Sequence, residues 1–152
     1  MIRPSVRALG LTIFAALAWQ AAPGRGAGDS SATKLPGARA VIEAADFPTL
    51  QAAIDALPAD GGTVHLPPGK FEISEPLVLG NSDVMIQGAG PSTHIYNANA
   101  AGRPALIVRS PELAQNPKAS LWRVQLANFR LTGNEKSGHG IEATNINEIF
   151  IH

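Results

Sequence analysis

Residues 46–90 read DFPTLQAAIDALPADGGTVHLPPGKFEISEPLVLGNSDVMIQGAG, and this stretch decides the fold. Apolar residues recur first at helical spacing, over residues 50–57, and Gly61-Gly62 ends that pattern. From Thr63 the spacing changes to every second residue, which is the period of a β-strand. The stretch therefore predicts one short helix followed by a series of short strands.

The predicted helix has one apolar face, made by Leu50, Ala53, Ile54 and Leu57, with Thr49 as its expected N-cap. A helix of about two and a half turns is too short to persist alone in water. It needs to pack on the rest of the protein, so we expect it to cap one end of a stack of strands.

Eight apolar-x-apolar triplets follow the helix, and each is long enough to put two side chains inward and one outward. Turn residues rich in Gly, Pro and Asn separate most of them. The triplets begin at Val64, Phe71, Leu77, Val84, Leu106, Val124, Phe129 and Ile149.

Five of these triplets recur at a near-constant interval, with 20, 22, 23 and 20 residues between successive starts. A fixed period in this range is typical of repeat architectures. We therefore predict an all-β fold, a right-handed parallel β-helix whose N-terminal part carries the short capping α-helix. A Greek-key sandwich is the alternative, but it normally uses longer strands and hairpin turns. The five triplets begin at Val64, Val84, Leu106, Phe129 and Ile149.

This register predicts one outward column that is mostly apolar. Such a column indicates a cover, which residues 38–45, another domain or another subunit would supply. The alternative is that the register is wrong by one strand in some of the repeats. The predicted column contains His65, Met85, Ile107, Arg130 and Phe150.

Residues 1–27 have the pattern of a secretory signal peptide, with two arginines followed by an apolar run and small residues. The apolar run is shorter than the roughly 20 residues that span a membrane. We predict a secreted or periplasmic protein with no membrane span after cleavage; an uncleaved anchor or a buried N-terminal helix is the alternative. Residues 28–43 are predicted to be a linker, and residues 44–152 the β-helix.

The charge and the cysteine content of the chain argue against some partners and some kinds of site. The chain has 152 residues, enough for one core, and formal net charge zero. Three arginines and no acid lie in the first 27 residues, so the remainder carries nine basic side chains against twelve acidic ones. A mildly acidic body gives no reason to predict nucleic-acid binding. The absence of cysteine excludes disulfides, thiolate zinc sites and cysteine nucleophiles.

The run FPTLQAAIDALPADGGTVHLPPGKFEISEPLVL, followed by VMIQGAG, resembles the N-terminal segment of the pectate-lyase-like superfamily. The group it resembles most contains rhamnogalacturonase- and epimerase-like pectate lyase domains. The resemblance covers about residues 44–96, roughly a third of the chain, and it implies a parallel β-helix. The superfamily includes polysaccharide lyases, glycoside hydrolases, sugar epimerases and phage tailspike enzymes, whose catalytic groups generally lie on later coils.

The resemblance implies the N-terminal portion of a secreted, polysaccharide-active protein that lacks catalytic activity by itself. The alternative is a non-catalytic β-helix module for polysaccharide binding or assembly. The partner is a polysaccharide, with an acidic one among the candidates. The resemblance assigns no catalytic residue to this chain, and it implies no cofactor or metal.

Two motifs invite a catalytic interpretation. Gly138-His139-Gly140 is similar to an element of polygalacturonases that works beside Asn-x-Asp and Asp-Asp pairs, since inverting hydrolysis needs two carboxylates. Neither pair occurs in the sequence, so a turn with an exposed histidine is the simpler interpretation. Glu72 and Glu75, three residues apart in a predicted strand, are expected on opposite faces.

Three arginines are candidate cations for lyase chemistry, in which a positive charge stabilises the enolate formed next to a uronate carboxylate. Arg109, Arg123 and Arg130 could lie outward on adjacent strands. No cluster of aspartates accompanies them to bind calcium, and solvated arginines are the ordinary case. The four histidines show no metal-ligand spacing, and His65 is interpreted as a surface side chain.

Residues 149–152 read IFIH, a strand-like ending. A stack of strands that stops there leaves backbone groups and an apolar end uncovered. We expect a β-helix incomplete at its C-terminus, as a fragment or as the first segment of a longer enzyme. A complete short module capped by a partner is the alternative. The isolated chain is expected to self-associate through this end.

Overall fold

The structure, a computed structural model, describes residues 39–152. The predicted signal peptide, residues 1–27, lies outside the described residues, as does most of the predicted linker. The described part forms one α-helix, α1 (Leu50–Asp55), three short 3-10 helices and eleven strands. The strands are β1 (Ala40–Glu43), β2 (Gly62–His65), β3 (Gly69–Ile73), β4 (Leu77–Leu79), β5 (Val84–Gln87), β6 (Thr93–Asn97), β7 (Leu106–Val108), β8 (Val124–Ala127), β9 (Arg130–Gly133), β10 (Ile141–Ala143) and β11 (Ile149–Ile151).

These strands form three sheets, in which every strand pair is parallel. Sheet 1 has the order β1-β2-β5-β8-β11, sheet 2 the order β3-β6-β9 and sheet 3 the order β4-β7-β10. From β2 onward the chain enters sheets 1, 2 and 3 in that order three times, and then returns to sheet 1 with β11. The protein therefore has the all-β fold that the sequence predicts, built on parallel sheets.

Most of the core consists of inward side chains at alternate strand positions. In sheet 1, Val64, Ile86 and Leu126 are aligned on neighbouring strands and all three are buried. Sheet 3 contributes Leu79 and Val108, which are both fully buried. Burial stabilises the fold by roughly 1.5–3 kcal/mol for each large apolar side chain, so these rows of aligned residues favour the observed pairing.

Two inward positions of β6 are polar, and both side chains hold turns in place. The Thr93 hydroxyl accepts a hydrogen bond from the Ala89 N–H at 2.8 Å and donates one to the Pro67 carbonyl at 3.0 Å. The Asn97 side-chain amide donates to the carbonyl of Arg103 at 3.0 Å. Because buried polar groups need partners, these bonds make polar residues tolerable in the core.

Helix α1 has the N-cap and the apolar face that the sequence predicts. The Thr49 hydroxyl accepts a hydrogen bond from the Ala52 N–H at 3.1 Å. Leu50, Ala53 and Ile54 are buried and belong to the core cluster. Packing therefore supplies the stability that so short a helix lacks by itself.

The edge of β4 is engaged by a side chain of α1. The side-chain carbonyl of Gln51 accepts a hydrogen bond from the Val78 N–H at 2.7 Å, and its amide donates to the Val78 carbonyl at 3.0 Å. A neighbouring parallel strand would engage the same two backbone groups. Gln51 thus substitutes for a strand at this edge and protects it from other partners.

The predicted linker, residues 28–43, extends too far toward the C-terminus. Residues 40–43 form β1, which pairs with β2 along its whole length, from Ala40 beside Gly62 to Glu43 beside His65. The four residues are too few for an alternating pattern to stand out against the Gly- and Ala-rich segment before them.

The predicted outward column is wrong, because it mixed three sheets. His65, Met85 and Phe150 lie in sheet 1, whereas Ile107 lies in sheet 3 and Arg130 in sheet 2. The aligned starts in sheet 1 are residues 62, 84, 124 and 149, so the true repeat varies from 22 to 40 residues. The connection from β7 to β8, which contains a 3-10 helix, causes the longest interval.

The helices found within residues 39–152 include none with the length and apolar character needed to cross a membrane.

Candidate functional site

The outward side of sheet 2 presents polar and charged side chains in two rows. The pairing of β3 with β6 and of β6 with β9 aligns these residues across the sheet, on strands about 4.8 Å apart. The first row contains Lys70, His94 and Arg130, the second contains Glu72, Tyr96 and Thr132, and we call these six side chains the His94 face.

His94 lies at the centre of this face, with both ring nitrogens engaged. A guanidinium N–H of Arg130 donates to Nδ1 at 3.0 Å, and the Thr132 hydroxyl oxygen lies 2.7 Å from Nε2. A guanidinium can only donate, so Nδ1 accepts and carries no proton. The imidazole is therefore neutral, and its proton sits on Nε2, from which it is donated to Thr132.

The surroundings of His94 favour this neutral form. Partial burial removes water from the ring and lowers its pKa below the ordinary value of 6.5. The positive charges of Arg130 and Lys70 lower the pKa further, since they repel an added proton. Geometry and electrostatics thus agree that His94 is uncharged at neutral pH.

Lys70 and Tyr96 form the other half of the face. The Lys70 ammonium lies 4.4 Å from the centre of the Tyr96 ring, within range of a cation–π contact, and 3.6 Å from a carboxylate oxygen of Glu72. The imidazole of His94 meets the same ring edge-on, with centroids 6.3 Å apart. With His94 neutral, two cations and one carboxylate leave this face with one net positive charge.

This arrangement suits the binding of a ring-shaped ligand that carries an acidic group. Tyr96 is half-buried, so it offers a rigid apolar surface together with a hydroxyl. Lys70 and Arg130 are exposed on the two outer strands and remain available to an anion. The Thr132 hydroxyl accepts from Nε2 of His94 and keeps its own O–H to donate to a ligand.

The structure separates the three arginines singled out from the sequence. Arg109 follows β7 of sheet 3, Arg123 precedes β8 of sheet 1, and Arg130 belongs to β9 of sheet 2. Arg123 donates two hydrogen bonds to the Asp83 carboxylate, at 2.6 and 2.8 Å, which lowers the pKa of that carboxyl. The interpretation that they lie on adjacent strands is wrong, because consecutive strands belong to different sheets.

His139 is exposed beside an open cleft of about 320 Å³ that lies along β9 and the turn after it. None of the residues lining this cleft is an acid, so the carboxylate pair that inverting hydrolysis requires is not formed there. His65 is a surface residue, as predicted, and its Nδ1 lies 2.9 Å from the carboxylate of Glu43.

Glu72 and Glu75 have separate partners. Glu72 lies next to Lys70 on the His94 face, whereas Glu75 follows the strand and pairs with Arg103. Over residues 39–152, no group of three or more His, Asp or Glu side chains is arranged to hold a metal ion.

Four residues of the His94 face were missed in the sequence: Lys70, His94, Tyr96 and Thr132. They were missed because the sequence patterns did not detect β6, the central strand of the face, whose sequence is Thr-His-Ile-Tyr-Asn. Its inward positions begin and end with polar residues, so the apolar-x-apolar pattern does not detect it. The signal that could have located β6 is the alternation of the ring-bearing residues His94 and Tyr96 with smaller or apolar residues.

No protein-family model matches the chain, and none of the curated proteins matches it either. A solved viral protein shares this fold. That structure, described as "Geobacillus virus E2 - ORF18", superposes with a TM-score of 0.61 at 17% sequence identity. The match covers 72% of this chain and 24% of the viral chain, so the chain spans about a quarter of that protein's length. At this identity the similarity shows the fold alone.

Proposed function

We propose that the chain forms the N-terminal coils of a right-handed parallel β-helix of the pectate-lyase-like type, exported from the cell, whose His94 face binds an acidic polysaccharide. Three parallel sheets entered in a constant order support this fold. Crossover connections between parallel strands are right-handed in about 98% of cases, which supports the hand. The position of α1 at the edge of β4 supports its role as a cap.

The observation that carries the proposed ligand is the composition of the His94 face. His94 lies directly between Lys70 and Arg130, and the Tyr96 ring lies in the next row on the same central strand, within 4.4 Å of the Lys70 ammonium. A polymer of sugar acids offers both partners at once, because its rings can pack on Tyr96 while its carboxylates pair with the cations. Poly-L-glutamate, an acidic peptide without rings, would satisfy only the cations.

Binding rather than turnover is the role that we propose for the chain by itself. A general base must offer a free lone pair to the proton that it removes. In the free protein the unprotonated nitrogen of His94 accepts a hydrogen bond from Arg130, so no lone pair of the ring is free there and the ring forms part of the binding surface. The catalytic groups of a complete enzyme of this type would lie on later coils. For the isolated chain, the exposed side chains of β11 also favour self-association.

We expect the chain to bind polygalacturonate in calorimetric titrations at low salt, and dextran, a neutral polymer, at least tenfold more weakly. Arg130→Ala should weaken polygalacturonate binding by about tenfold or more, since it removes a charge-assisted hydrogen bond. Affinity should fall as salt is added, because the pairs are exposed.

Gln125→Ala is the matched control for this experiment, since Gln125 is an outward residue of β8 on sheet 1. It should bind within twofold of the unaltered chain. Equal affinity for dextran and polygalacturonate would contradict the proposal. Equal binding of poly-L-glutamate would contradict the assignment to a sugar polymer and favour an acidic peptide.

A further inference from the structure

We propose that His94 takes up a proton when an acidic polysaccharide binds, so that the His94 face holds a ligand carboxylate more tightly as the pH falls. This inference rests on the proposed function and adds to it the protonation state of the site. The ligand is then one with carboxylate groups, and protonated His94 donates a hydrogen bond to it that the neutral ring of the free protein cannot donate.

The hydrogen bond between Arg130 and His94 is one that a ligand carboxylate can replace. In the free protein, Nδ1 is the acceptor for an Arg130 N–H at 3.0 Å. A carboxylate is a stronger acceptor for a guanidinium than a neutral imidazole nitrogen is. A ligand carboxylate that takes this N–H of Arg130 displaces Nδ1 and releases its lone pair.

The released nitrogen then faces the carboxylate that displaced it. Once protonated, Nδ1–H becomes a second donor to the same carboxylate, beside the guanidinium. The bond from Nε2–H to Thr132 is compatible with both charge states, because Nε2 carries a proton in each. Thr132 thus holds the ring in one orientation while its charge changes.

The charges that surround the ring decide whether the pKa of His94 rises or falls when a ligand binds. Lys70 and Glu72 face it from β3, Tyr96 lies beside it on β6, and Arg130 faces it from β9. In the free protein, partial burial of the ring and then the positive charges of Arg130 and Lys70 lower the pKa of His94. Bound carboxylates neutralise the cations, so the pKa of the bound state lies higher than that of the free state.

The linkage between binding and protonation follows from this difference. A group whose pKa rises on binding takes up protons at pH values between the free and the bound pKa, and affinity increases as the pH falls through that window. The free pKa lies below 6.5, so the window includes mildly acidic pH. Sugar carboxylates resemble other carboxylic acids, with a pKa of about 4, and stay ionised above pH 5.

Calorimetric titration with polygalacturonate at pH 6.0, in two buffers of different ionisation enthalpy, measures the protons taken up. We expect net uptake of protons on binding, and affinity at least fivefold higher at pH 5.5 than at pH 8. His94→Gln should abolish the uptake and flatten the pH dependence, because an amide does not titrate in this range.

His65→Gln is the matched control, because His65 is an exposed histidine on sheet 1 with a carboxylate neighbour. It should leave the proton uptake unchanged. The imidazole pKa of His94, followed by NMR with and without polygalacturonate, gives the same answer without any substitution and should rise on binding.

Binding without proton uptake, or with proton release, would overturn this inference and leave the proposed function standing. Uptake that survives in His94→Gln would overturn it as well, since another group would then be responsible. An absence of polygalacturonate binding at every pH would overturn the proposed function and this inference with it.

Discussion

Leu79→Ala is expected to lower the free energy of unfolding by about 3 kcal/mol, since leucine-to-alanine changes in cores typically cost 2–5 kcal/mol. Leu79 is the last residue of β4 and is fully buried. It belongs to the core cluster, so its removal leaves a cavity bounded by aligned strands. Strand pairs on the neighbouring sheets limit how far this cavity can collapse. Urea unfolding followed by circular dichroism measures the loss.

Val78→Ala is the matched control, one residue earlier in the same strand. Val78 points outward and is 42% exposed, so the change should stay within about 0.5 kcal/mol. Because side chains alternate between the two faces of a strand, the pair also tests the register. A larger loss for Val78→Ala than for Leu79→Ala would mean that β4 presents the opposite face to the core.

Gly61→Ala is expected to cost about 3 kcal/mol or more, through backbone strain and steric overlap together. The φ angle of Gly61 is +88°, a left-handed conformation that L-residues adopt only at a cost. A β-carbon there would lie 2.3 Å from the Asp83 carbonyl oxygen and 2.6 Å from that of Ser82. Both atoms belong to the backbone of the turn before β5, so neither can move without disturbing sheet 1.

Gly102→Ala separates the cost of backbone strain from the cost of steric overlap. Gly102 also has a positive φ, +74°, but a β-carbon there would meet no atom within 4 Å. Its substitution should cost only the conformational term, about 1–2 kcal/mol. Both variants can be measured by urea unfolding under the same conditions. Equal losses at the two positions would contradict the close approach of the Gly61 turn to the Asp83 turn.

Local patterns in the sequence predicted much of this fold. The spacing of Leu50, Ala53 and Ile54 located α1 because one apolar face must be buried. All eight apolar triplets lie in a strand or directly beside one, since alternation of apolar side chains is a local consequence of having one face in the core. These features depend on residues within a few positions of each other, and sequence patterns report them directly.

The register between strands and the site itself depend on contacts distant in the sequence. Thr93 and Asn97 occupy inward positions because turns at residues 67, 89 and 103 offer them partners. That information is absent from the sequence of β6 itself. Without β6, His94 and Tyr96 could not be placed beside Lys70 and Arg130, so the His94 face emerged only from the pairing of β3, β6 and β9.

The central claim, that the His94 face binds an acidic polysaccharide, is tested most directly by backbone amide NMR during titration with a short oligogalacturonate. We expect the largest shift changes in β3, β6 and β9, at Lys70, His94, Tyr96 and Arg130. Amides of the outward residues of sheet 1, such as Met85, should change little. Shift changes concentrated on sheet 1 or sheet 3, or no changes at saturating ligand, would contradict it.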